Sequence, residues 1–139
     1  MKKILPLLIV TLTLTGCISR EQADERLFKG CTAAAQLFLD EYFKIKTVKN
    51  KKFSPSLEFG NGFREVTIFA VESDGWLDID NEYKCVFAEE MGLFSSTHRA
   101  TLYQMKIKGK TYGIDGDKLS GDINTHINIK QVVEQAMNE

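Results

Sequence analysis

The spacing of apolar residues changes twice along this chain, and that change constrains the fold more than any single motif. Leu27, Cys31, Ala34, Ala35, Phe38, Tyr42 and Ile45 recur every three or four residues, which gives a helix one apolar face. Ser19 with Gln22 three residues on matches a capping box, so the helix is read over about residues 20–45. Gly30 interrupts it, and the reason expected is close approach of a strand beside Cys31. The period then falls to two. Phe53 to Phe59 contains Pro55 and reads as an edge strand or an irregular lead-in. Phe63 to Glu72 is rich in β-branched and aromatic residues, and Asp74-Gly75 signals a hairpin. Asp80-Asn81 reads as a break or bulge. Tyr83, Cys85 and Phe87 then alternate with Lys84, Val86 and Ala88. Ala100 to Lys108 alternates again, with Leu102 facing away from Tyr103, Met105 and Ile107. Lys108-Gly109-Lys110 turns into a short strand around Thr111 to Ile114. Asp115 to Asn124 reads as a loop. A last helix, capped by Asn128, carries the stripe Ile129, Val132, Val133, Ala136 and Met137. The order helix, strands, helix predicts an α+β domain with an antiparallel meander of four to five strands and a short C-terminal helix.

The first residues carry a different message. Lys2 and Lys3 precede the apolar run Ile4 to Leu14, which is too short to span a bilayer. It has the layout of a secretory signal and ends in Leu14-Thr15-Gly16-Cys17. This segment resembles the signal peptide of bacterial lipoproteins, whose lipobox ends in a small residue before the lipidated cysteine. The resemblance covers residues 1–19 only. It implies removal of residues 1–16, a lipid on Cys17, and a single periplasmic domain over residues 17–139. Ile18 and Ser19 follow the cysteine where an inner-membrane retention signal carries Asp. For a Gram-negative source the resemblance therefore implies the periplasmic face of the outer membrane. With Cys17 lipidated, Cys31 and Cys85 remain in an oxidising compartment, and one helix-to-sheet disulfide is expected.

The net charge of −1 becomes more negative when Lys2 and Lys3 are lost, so no basic surface for nucleic acid is expected. The run Lys44, Lys46, Lys49, Lys51 and Lys52 is local. It reads as a solvated helix end, or as a contact for anionic headgroups.

Motifs that carry chemistry are sparse. His98 and His126 lack ligands at metal spacing and read as loop or helix-entry residues, so no metal is expected. Ser95-Ser96-Thr97-His98 reads as a polar hairpin loop, without a nucleophile elbow. Glu89 and Glu90 point to opposite faces of a strand and read as solvated carboxylates. Asp78, Asp80 and Glu82 alternate, but Tyr83 stands where a calcium-binding EF-hand loop needs Gly. No phosphate-cradling loop occurs, and neither a cofactor nor a catalytic residue is assigned. Met91-Gly92-Leu93-Phe94 heads a loop; Leu93 and Phe94 either fold back as core or form an apolar tip. Trp76 has the same two readings, with core favoured.

The expectation is a non-catalytic, membrane-anchored lipoprotein that binds an envelope protein, with Trp76, Leu93 and Phe94 as candidate contacts. An inhibitor or exclusion factor, acting on lysozyme or incoming phage, is the alternative within binding proteins. An envelope hydrolase using His98 or a carboxylate is the alternative of a different class.

Overall fold

A computed structural model describes residues 17–93 and 97–139. The expected signal segment and Phe94, Ser95 and Ser96 lie outside the described residues. The chain runs α1 (Arg20–Leu37), β1 (Lys44–Pro55), β2 (Phe63–Ser73), β3 (Asp78–Met91), β4 (His98–Ile107), β5 (Lys110–Asp115), β6 (Lys118–Ser120) and α2 (Ile123–Asn138). The strands form one antiparallel sheet in sequence order. Both helices pack on one face. Leu27, Cys31, Ala34 and Ala35 of α1 and Ile129, Val133 and Met137 of α2 meet Val66, Ile68, Tyr83, Cys85, Phe87 and Met105 in one core.

The α+β class holds, with six strands rather than four to five. The Ser19 cap holds in full. Its Oγ accepts from Gln22 N–H, and the Gln22 side chain accepts from Ser19 N–H. The helix ends at Leu37, not near residue 45. Lys44 to Pro55 instead pairs along the whole of β2, from Lys44 opposite Ser73 to Pro55 opposite Arg64. The basic run therefore lies on a sheet edge, not at a helix end. There Lys46 reaches Asp78 at 2.7 Å, Lys49 reaches Asp80 at 2.8 Å and Lys51 reaches Glu25 at 2.6 Å. An edge strand dressed in lysines resists pairing with another chain.

Gly30 is explained by a helix, not a strand. A Cβ there would stand 2.9 Å from Met137 Cγ and 3.1 Å from Val133 Cγ1, so its absence lets α1 and α2 approach. Asp80-Asn81 is neither a break nor a bulge, because β3 pairs continuously and in constant register with β2 from Asp78 to Ala88. Leu102 lies in the core with Met105 and Ile107. Val86 faces Gln104 and Phe87 faces Leu102, so a bulge at Tyr103 reverses the alternation between them. Tyr103 turns to the opposite face and meets Phe59 and Phe63, with centroids 5.1 and 4.9 Å away. Beside the bulge, Gly113 has φ +93°, and a Cβ there would stand 2.4 Å from Tyr103 O. The expected loop over residues 115–124 contains β6 and the start of α2. Asp122, not Asn128, caps α2, with Oδ1 accepting from Asn124 N–H and Thr125 N–H.

Candidate functional site

The sulfurs of Cys31 and Cys85 are bonded, tying α1 to β3 with their Cα atoms 5.8 Å apart. Cys17 is exposed, two residues before the helix cap. Trp76 is not core. It stands 98% exposed at the β2–β3 turn, with Leu77 and Ile79 also exposed behind it. Asp74 braces that turn by accepting from Leu77 N–H and Trp76 N–H, and these bonds hold its carboxyl below the usual range. Leu93 is 84% exposed in the β3–β4 connection. It sits at the other end of β3, so Trp76 and Leu93 cannot form one patch. The α1 N-terminus lies at the Leu93 end, because Arg20 grips Glu89. Asp78 to Glu89 is about 36 Å of extended strand, so the Trp76 tip lies far from Cys17.

Two polar clusters hold the two ends of the core, and neither was expected. At the Cys17 end, Nη1 and Nη2 of Arg20 each donate to Glu89 at 2.6 Å. Arg64 donates twice to Asp24, at 2.9 and 2.7 Å. His98 is buried rather than in a loop. Its Nδ1 lies 3.1 Å from Arg26 Nη1 and its Nε2 lies 2.8 Å from Glu89 Oε2. A guanidinium only donates, so Nδ1 accepts and Nε2–H donates to the carboxylate. Arg26 also donates to His98 O at 3.1 Å and Met137 O at 3.0 Å, joining α1, β4 and the end of α2. Glu89 is therefore a clasped carboxylate and not a solvated one. Burial would raise its pKa, but the hydrogen bonds from Arg20 and His98 outweigh it and hold the group below the usual range.

At the far end, Glu72 is fully buried on the helix-facing side of β2. Tyr83 O–H donates to Glu72 Oε1. Lys108 Nζ lies 3.2 Å from Oε2 without the alignment of a hydrogen bond, so that oxygen has charge compensation only. Burial, then the bond to Glu72, pushes the Tyr83 phenol upward. Lys108 and Gly109 form the β4–β5 turn with φ +50° and +74°.

Among the described residues, no three His, Cys, Asp or Glu side chains converge as a metal site. His126 stands apart from His98, and burial with nearby Lys130 lowers its pKa.

An open cleft of about 370 Å³ lies between α2 and the first half of β4. Its floor runs from His98 to Leu102, and Lys130, Val133 and Met137 form a wall. β5 pairs only with Gln104 to Ile107, so it leaves this part of β4 uncovered. The signal for the cluster at the Cys17 end lay in the helical spacing. Asp24 and Arg20 continue the Leu27 stripe one and two turns back, which aims them at the sheet. No family model, no curated protein and no solved structure matches this chain.

Proposed function

We propose that the chain is a lipoprotein of the cell envelope that holds a protein-binding domain against the membrane through Cys17, at the periplasmic face of the outer membrane. The observation that carries this reading is the polarity of the domain. Trp76 and Leu77 stand exposed at one end, and the α1 N-terminus that follows Cys17 lies at the other. An exposed tryptophan on a braced hairpin is the residue type that anchors protein interfaces. Restriction to one surface raises the local concentration of a partner in the same envelope, so a small interface suffices. Leu57, 98% exposed in the β1–β2 connection, and Leu93 lie at the Cys17 end, where they suit contact with the bilayer surface. A non-catalytic role agrees with His98, whose ring nitrogens are both taken by Arg26 and Glu89.

Two measurements test the reading. Mass spectrometry of the mature protein is expected to show a diacylated Cys17 at the N-terminus; an unlipidated terminus removes the anchor. A photo-cross-linking residue at position 76 in living cells is expected to capture a discrete envelope protein. Loss of that product on Leu77→Ala supports the tip, and absence of any product refutes it.

A further inference from the structure

The geometry points to a second binding surface: the open edge of β4 beside α2, shaped to add an extended acidic segment of a partner protein as a further strand. It rests on the reading of the chain as a protein-binding module but uses a surface unrelated to Trp76.

The backbone directions follow from two hydrogen bonds. Glu89 N–H donates to Gly62 O at 2.8 Å, on the β2 side, and Gly92 N–H donates to Thr97 O at 2.8 Å, on the β4 side. In an antiparallel ladder successive residues turn their polar groups to alternate neighbours. Ala88 and Glu90 therefore bond Thr101 and Arg99, their opposite numbers in β4. His98, Ala100 and Leu102 turn outward. His98 O uses that direction to accept from Arg26. The outward groups of Ala100 and Leu102 have no partner among the described residues and open on the cleft.

The edge differs from β1 at the opposite side of the sheet. There Lys46, Lys49 and Lys51 are paired with Asp78, Asp80 and Glu25, and two bulges break the register. Along the cleft, Arg99 and Lys130 have no carboxylate partner among the described residues, and Glu134 is the one acidic group in the lining. The charge selects an acidic occupant. Shape selects its pattern. Alternate residues of an added strand stand about 6.7 Å apart, close to the roughly 5.4 Å between turns of α2. A carboxylate opposite Lys130 thus places an apolar side chain two residues away over Val133 and Met137. Strand addition uses main-chain bonds for affinity and such alternate pockets for specificity.

The test displays random decapeptides to the full chain purified in detergent. Enriched sequences are expected to carry an acid two residues from an apolar position. Ala100→Pro removes only an outward N–H, which an edge strand tolerates. It is expected to weaken the selected peptide at least tenfold while the thermal midpoint holds. Lys130→Glu, on an exposed helix position, is expected to weaken it about fivefold whatever proline does to folding. Bound peptide is expected to slow hydrogen exchange at the Ala100 amide. The proposal falls if no sequence is enriched, if basic peptides are enriched, or if Lys130→Glu and the Ala100 amide both stay unaffected. It also falls if the free chain dimerises and Ala100→Pro abolishes the dimer, since a second copy then covers the edge. Cross-linking at position 76 persists through every such failure if the wider reading holds.

Discussion

The two polar clusters occupy the same face of the same sheet, yet they are built on opposite principles. At the Cys17 end, three arginines, two carboxylates and His98 satisfy one another through pairs of well-aligned bonds. The arginine stems reach solvent there, so the charges keep part of their hydration. At the Trp76 end, Glu72 is sealed and has one aligned donor and one nearby ammonium. Many shared partners make the first cluster tolerant of losing one. The second depends on each of its few partners, because a buried charge without compensation is costly. The difference suits the proposed roles, with a broad clasp near the anchor and a compact lock beneath the projecting hairpin.

The largest effect expected is from Glu72→Ala, which strands the buried Tyr83 hydroxyl and opens a cavity. Chemical denaturation should register a loss of about 3 kcal/mol. Glu72→Gln keeps an acceptor for Tyr83 and should cost clearly less. Equal costs would mean that the charge facing Lys108 matters more than the hydrogen bond. His98→Ala comes next, at about 2 kcal/mol, since Glu89 retains Arg20 and Arg26 retains Met137 O. A loss larger than that of Glu72→Ala would reverse the ranking of the two ends.

Smaller, and of opposite sign along the pH scale, are the titrations. Glu89 has a folded pKa below its ordinary 4.5. Its contribution is therefore present above that value and drains as pH falls through the folded one. Tyr83 has a folded pKa above its ordinary 10.0. Its contribution is present below that value and is lost as alkali ionises the unfolded chain. Acid should loosen the Cys17 end first and alkali the Trp76 end. Residue-resolved hydrogen exchange at pH 4, and tyrosine absorbance with unfolding above pH 10, read the two ends separately. Loosening that begins at the same end in both regimes would dissolve the distinction.

Much of the architecture could be read from the residues alone, where local chemistry decides it. Ser19 and Gln22 cap α1, Tyr83, Cys85 and Phe87 face the helices, and Ile129, Val133 and Met137 seat α2. β1 was hidden for a physical reason. Only Ile45, Val48 and Phe53 are half-buried in it, and its two bulges put them at spacings of three and five. A polar edge strand with bulges carries no period of two, and Ile45 instead fitted the helical count before it. The Tyr103 bulge inverts Leu102 without any local mark except Gly113, which comes from the neighbouring strand. The polar clusters were hidden because their partners lie far apart in the chain. Arg20 and Glu89 are 69 residues apart, and Arg26 and His98 are 72 apart. Trp76 is large, and size favours burial, but it stands on a turn that projects past the last paired residues of β1, β2 and β3, where no second layer covers it.

The disulfide has one more consequence. Cys31 and Cys85 close a covalent ring that contains β1, β2, the Trp76 turn and more than half of β3. The exposed connections most open to proteolysis within it, between β1 and β2 and between β2 and β3, therefore share a safeguard. A single cut in either leaves two lengths of chain still joined through sulfur, and the tip stays attached to the segment that carries Cys17. Outside the ring, β4 to β6 and α2 have no such tether. A cut between β3 and β4 frees everything that follows to be shed once the core opens, so wear on this molecule is expected to begin with its C-terminal third.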